Sequence, residues 1–481
     1  MYHTKLLETV RSLDTRERAR WQEYVHAGLF NRHAGLRRLC DYILEVLPDM
    51  EQEALQKKRA FEHLFGGGAE YNELKMNNLI SDLYFLLLDF LAFRHFENDR
   101  LTRLGHTANE LLARNLDKQA AGALERYRKE LEQRPDRTTE WLRHERHWWE
   151  AAEVLHSRQA RRSAGEHLRR QADALDVAFA LDKLRITVVM LSRNALAVVQ
   201  ADDRPRWLSE LRKWCREENL FRQYPPVQVY LAALDLVEEP ESRYFEALRG
   251  ALDRHDGLFP PEEQTALYQL ALNYCIRRIN DGFSEAYSDA LTLYRTMLDR
   301  GLLLRQGRLS QWTYKNITAA GLRSGAFAWT EDFLYRYRDA LHPAERENAF
   351  AYNLAELHFE KLDFAGALRA LQNVEFTDFT YQLGAKTLQL KCFYALGEWE
   401  ALTALLDSTR QLLRRNRSLS TFGKTTNLNF LRLLRQIKYW KQNQSLQPAR
   451  RWKLEQKNLK EDVQRTQPLA HKDWLLKCIF E

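Results

Sequence analysis

Asn353-Leu-Ala-Glu-Leu-His-Phe-Glu-Lys-Leu-Asp-Phe-Ala-Gly-Ala-Leu-Arg-Ala-Leu371 reads as two helices joined by a tight turn. Small Ala355 and Ala367 allow the helices to approach closely, and Phe364 closes the turn. The same pattern recurs on both sides. Gly325-Ala-Phe327, Leu362-Asp-Phe364 and Gly397-Glu-Trp399 each set an aromatic two residues after a turn position, at intervals of 37 and 35 residues. One hairpin cannot bury its apolar face alone. A repeated hairpin of this length therefore predicts stacking into a solenoid.

The rest of the chain also reads as helix. Gly and Pro together make about 6% of 481 residues, half the usual share, so few turns are available. An all-β sandwich or barrel, which needs a turn every ten residues or so, is excluded. Hydrophobic residues at 45% exclude wholesale disorder. Asp14 followed by Glu17 marks a helix start that runs to about Gly28. Further helices are expected over 34–47, 51–65, 71–96, 110–131 and 139–155, and a helix pair over 160–199. Ile186-Thr-Val-Val189 is β-branched, but a short run without flanking turns is expected to be buried helix.

The hairpins resemble the tetratricopeptide repeat over residues 260–415. The unit at Leu390–Leu406 keeps Phe393, Gly397 and Trp399 but has Leu402 where that family prefers Ala, and a degenerate unit spans Leu267–Leu298. The chain as a whole is similar to uncharacterised bacterial helical-repeat proteins, which carry no activity over. The expected class is all-α, divided into an N-terminal helical bundle (1–135), a helical region with room for divergent repeats (136–259), a tetratricopeptide-like α-solenoid of stacked hairpins (260–415) and a basic C-terminal helical segment (416–481).

The resemblance implies a concave face built from the first helix of each hairpin. It would carry Lys315, Asn316, Tyr352, Asn353, Glu356, Phe359, Lys391 and Tyr394. In that family Asn and Lys at such positions hold a peptide backbone or its terminal carboxylate. An Asn amide offers both donor and acceptor, and Lys supplies charge. Ordinary contacts between helices explain Tyr352, Phe359 and Tyr394 equally well.

Charge is unevenly spread. The chain is +7 overall, yet residues 411–481 hold 16 bases and five acids, a net +11, which leaves −4 for the rest. Arg414, Arg415, Arg417, Lys438, Lys441, Arg450, Arg451 and Lys453 are the candidate basic surface, with Tyr439, Trp440, Trp452 and Trp474 interleaved. Cations neutralise phosphates and aromatics stack on unpaired bases. The plainer alternatives are a solvated face capping the repeats and a surface for an acidic protein.

Motifs with chemistry are scarce. Gly423-Lys-Thr425 lacks the glycine that a phosphate loop needs at position 418, which is Ser418, and lacks a preceding strand. Gly66-Gly-Gly68 reads as a helix connection. His144-Glu-Arg-His147 places its histidines at i,i+3 rather than the i,i+4 of a zinc helix, with no third ligand. Glu262-Glu263 after Pro260-Pro261 suits a helix N-terminus. No catalytic residue, metal set or cofactor is identified. Five widely spaced cysteines read as buried thiols of a cytoplasmic protein, and the most apolar helix, Leu79–Phe93, is interrupted by Asp82 and Asp89, so no membrane insertion is expected. The expected function is a non-enzymatic scaffold or adaptor that holds a partner peptide or helix in the groove. Nucleic-acid association through the C-terminal segment is the alternative. Neither partner identity nor oligomeric state is legible.

Overall fold

The computed structural model describes residues 1–47, 55–66, 68–158, 165–194, 206–372, 378–417, 419–446 and 448–480. Among them there are 24 α-helices, two 3-10 turns and no β-strand. The first half contains α1 (Lys5–Ser12), α2 (Thr15–His26), α3 (Ala34–Val46), α4 (Lys57–Phe65), α5 (Glu73–Asn98), α6 (Arg100–Ala113), α7 (Asp117–Gln133), α8 (Thr139–Arg158), α9 (Glu166–Asn194), α10 (Leu208–Glu217), α11 (Asn219–Arg222) and α12 (Pro225–Glu238). The second contains α13 (Ser242–Arg254), α14 (Pro261–Asn280), α15 (Ala286–Asp299), α16 (Gln311–Arg323), α17 (Phe327–Arg336), α18 (Pro343–Glu360), α19 (Phe364–Leu371), α20 (Phe379–Leu396), α21 (Trp399–Arg415), α22 (Thr421–Gln442), α23 (Ala449–Arg465) and α24 (Lys472–Phe480). The chain forms two compact units, Met1–Arg185 with Arg206–Val227, and Ile186–Pro205 with Gln228–Glu481.

In the first unit, α1 to α5 surround one core. Met76, Leu79, Ile80, Leu83, Leu87 and Phe90 of α5 follow the three-and-four spacing of a helical face and meet Leu7, Val10, Trp21, Leu39 and Ile43. The start of α2 is a capping box: Asp14 accepts from the Glu17 amide at 2.8 Å, and Glu17 accepts from the Asp14 amide at 2.8 Å. Three expectations for helices differ from what is seen. The helix expected over 51–65 begins at Lys57, and 51–54 lie outside the described residues. The helix expected over 110–131 is broken, with α6 ending at Ala113 and α7 beginning at Asp117. Asn115 takes a left-handed φ of 59° there, doing the work of a glycine without announcing a turn. The pair expected over 160–199 is one helix, α9, as far as the described residues run. Ile186–Val189 is helical, with Thr187 and Val188 buried but Ile186 and Val189 on the exposed side.

In the second unit the three aromatics found by period each open the second helix of a hairpin: Phe327 begins α17, Phe364 begins α19 and Trp399 begins α21. The turns share one hydrogen-bond design. Ala326, Asp363 and Glu398 donate back to Gly321, His358 and Phe393 carbonyls, each at 2.9 Å, with Gly325, Leu362 and Gly397 left-handed before them. The α6–α7 turn repeats it, Leu116 donating to Leu111 at 3.0 Å. Ala355 and Ala367 are fully buried, as close helix approach requires. First helices also pack on first helices: α16 contacts α18, and α18 contacts α20. The C-terminal helices α22, α23 and α24 share one core with α20 and α21, in which Leu390, Leu402 and Leu406 meet Phe430, Ile437, Val463 and Leu475.

Candidate functional site

The groove residues expected from the repeat separate into three groups. Asn353 is only 1% exposed; its amide donates to the Ala349 carbonyl at 2.7 Å and it bonds the Tyr381 hydroxyl. It is therefore spent on holding α18 against α20. Asn316 is exposed and bonds Tyr294. The others converge. Lys315 sits over the rings of Tyr352, at 5.1 Å, and Tyr381, at 5.4 Å. The Tyr352 hydroxyl donates to Glu356 Oε1 at 2.7 Å.

Around Lys391 a cavity of about 640 Å³ is lined by Arg323 of α16, Glu356, Phe359 and Glu360 of α18, Lys391 and Tyr394 of α20, and His471, Trp474 and Lys477 of the C-terminal arm. The ammonium of Lys391 donates to His471 Nδ1 at 3.2 Å and lies 5.6 Å from the Trp474 ring and 5.9 Å from Phe359. Donation to Nδ1 leaves the imidazole proton on Nε2. The Tyr394 hydroxyl donates to the Cys478 carbonyl at 3.1 Å, and its ring meets Trp474 edge-on at 5.5 Å. Helix α24 thus docks on the same first helix that carries two of the expected groove residues. Nothing in Lys472–Phe480 matches the repeat, so the period alone does not name the α24 residues that make this contact.

Electrostatics mark both lysines. Burial lowers the pKa of Lys315, opposed by Glu356 and Asp378. Burial lowers Lys391 as well, opposed chiefly by Glu356. His471 is exposed by surface area. Even so, the protein mass around the cavity, then Lys391 and Arg323, hold its imidazole down at about 3, so it is neutral at neutral pH. Neither lysine forms an ion pair with a described residue, whereas Arg323 is held by Glu360 at 3.4 Å.

The basic C-terminal residues are dispersed. Arg414 and Arg415 end α21, and Arg417 follows it. Lys438 and Lys441 lie on α22, and Arg450, Arg451 and Lys453 on α23. Lys438 donates to the Thr403 hydroxyl, Lys441 lies over Trp440 and Arg451 pairs with Glu455. The aromatics are mostly inside. Trp440 and Trp452 stack on each other at 4.6 Å, and Trp474 packs against Tyr394 and Phe430, leaving Tyr439 as the one open ring of the four. Of the eight bases Arg414 lines a cleft between α21, α22 and α23, where it joins Arg410, Arg432 and Arg435, which are not among the eight.

The other motifs have structural explanations. Gly423-Lys-Thr425 is the first turn of α22, and Ser420 caps it by accepting from the Gly423 amide at 3.1 Å. Gly66 ends α4 with a φ of 89°; position 67 lies outside the described residues. Pro261 and Glu262-Glu263 form the first turn of α14. His144 is buried with Nδ1 2.8 Å from the Tyr127 hydroxyl, and burial lowers its pKa; His147 bonds Arg146 at 3.0 Å. Among the described residues, no cluster of three His, Cys, Asp or Glu side chains is placed to hold a metal ion, and no helix is long and apolar enough to cross a membrane. No family model, no curated protein and no solved structure matches the chain.

Proposed function

We propose that the chain is a non-enzymatic interaction scaffold in which an N-terminal bundle is followed along the chain by helical hairpins stacked as a right-handed, tetratricopeptide-like solenoid. It holds a partner segment along the first helices of α16–α21. The observation that carries this reading is the pair Lys315 and Lys391, two half-buried cations on the first helices α16 and α20, either side of α18, neither in an ion pair with a described residue. Burial disfavours the charged form of each lysine, Glu356 only partly opposes it, and a ligand carboxylate would oppose it further. Phe359, Tyr394 and Trp474 supply apolar walls beside Lys391. The ligand class is therefore a peptide whose C-terminal carboxylate stands next to an apolar residue.

The test is an array of peptides bearing free C-terminal carboxylates, each paired with its amidated form and probed with the full chain. Selective binding of the free forms, weakened about tenfold or more by Lys391→Ala, supports the reading. Equal binding of amidated peptides, or binding indifferent to both Lys315→Ala and Lys391→Ala, overturns it.

A further inference from the structure

A separate cleft lies elsewhere in the second unit. It is bounded by α21, α22 and α23 and has a volume of about 710 Å³. Its floor is apolar: Leu406, Leu431, Leu459 and Trp440 are buried side chains that still line the opening, and Leu428 stands partly exposed at one end. Its rim is charged and asymmetric. Arg410 and Arg414 lie one turn apart on α21, Arg432 and Arg435 on α22, and Glu455 and Asp462 face them from α23. On α22 the lining runs from Leu428 to Trp440, about 18 Å of helix at 1.5 Å per residue, or roughly three turns.

The arginines differ in how far they are already used. Arg435 pairs with Asp407, and Arg432 donates to the Thr466 hydroxyl at 3.3 Å. Arg410 and Arg414 are exposed and make no hydrogen bond or ion pair with any described residue. A guanidinium is suited to bidentate pairing with a carboxylate, and two of them one helical turn apart match carboxylates at the same spacing on another helix. A leucine floor asks for apolar side chains, which a phosphate backbone does not bring. Base stacking asks for open aromatic faces, and Tyr439 is the one such ring on this rim.

We propose that this cleft is a docking site for an acidic amphipathic helix of a partner protein. The helix lays its apolar residues, spaced i, i+3, i+4 and i+7, on Leu406, Leu428, Leu431 and Leu459. Its acidic flank faces Arg410, Arg414 and Arg432, and a basic residue on the other flank faces Glu455 and Asp462. The asymmetric rim fixes the direction of the bound helix, because reversing it sets like charges against each other.

Fluorescence anisotropy on the full chain tests this with a labelled amphipathic peptide of about 18 residues, leucine on one face and glutamate on the arginine-facing flank. The expected result is saturable, salt-weakened binding that falls about tenfold or more in Arg410→Glu/Arg414→Glu, two exposed positions whose change leaves the helical circular dichroism intact. Replacing the peptide leucines by serine abolishes it, and Lys391→Ala does not alter it, which separates this cleft from the Lys391 groove. The proposal is overturned by no binding of the acidic peptide, by equal binding of a version with lysine in place of glutamate, by indifference to the double arginine variant, or by preferential binding of a poly-dT oligonucleotide at the same residues.

Discussion

Leu362 holds a φ of 63°, a conformation that costs an ordinary L-residue about 1–2 kcal/mol, at the turn position where the neighbouring hairpins use Gly325 and Gly397. It is 73% exposed, so its side chain returns little by burial. Leu362→Gly should therefore raise stability, by up to about 1 kcal/mol after the entropy of the added glycine is deducted, while Gly397→Ala lowers it by a similar amount. Urea midpoints of the two variants check both signs. The second residue to probe is His471, which faces Lys391 of α20, Arg323 of α16 and, across the cavity, Glu356 and Glu360 of α18. An unfolded imidazole titrates near 6.5, and the docked one is held at about 3. As pH falls below 6.5 the unfolded state takes up the proton first. The stability contributed by the docked imidazole is therefore full above about 6.5 and is lost progressively toward 3. His471→Gln, which keeps an acceptor for Lys391, should flatten the fall in urea midpoint between pH 7 and 4. An unchanged slope would exclude His471 as its source.

Helix pairing in the second unit depends on small contacts that are easy to name and to break. A methyl group on Gly321 of α16 would collide with the Thr330 hydroxyl of α17. Gly321→Ala should cost about 1–3 kcal/mol by overpacking, and adding Thr330→Ala, which copies the small residue at Ala367, should recover most of that loss. Additive losses in thermal unfolding of the single and double variants would refute this contact. The hairpins were legible in the sequence because their determinants are local: an aromatic at the start of a helix, a left-handed residue two before it, small residues at the crossing. The α6–α7 break was missed for an equally local reason, since Asn115 imitates glycine without the composition of a turn. The candidate sites were legible only in part. Lys315, Glu356 and Lys391 lie on the first helices α16, α18 and α20, but Asn353 cannot be told from a ligand contact in the sequence, because a buried amide and a binding amide look alike until the Ala349 and Tyr381 partners are seen. The α24 contact and the four-arginine rim unite segments dozens of residues apart that share no period.

At the scale of the whole chain, charge and thiol chemistry are distributed in opposite ways. The bases concentrate in the last helices, which also bury Phe430, Trp440 and Leu475 in a common core with α20 and α21, so the same helices complete that core and carry the excess of bases. The cysteines are instead spread through the two units, and all five are buried. Burial raises the Cys40 thiol well above the usual range, lifts Cys215 to about 11 and pushes Cys275 and Cys392 to about 12. Thiolate is the reactive form, so at neutral pH these groups are both inaccessible and protonated. A native sample should show no fast-reacting thiol toward a disulfide reagent, and all five should react once the chain is unfolded in denaturant. Because Cys40 and Cys215 report on the first unit and Cys275, Cys392 and Cys478 on the second, the order in which they become reactive with rising urea, read by mass spectrometry, reports which unit opens first. Rapid modification of Cys275 or Cys392 in the native protein would contradict the packing of α14 against α15 and of α20 against α21.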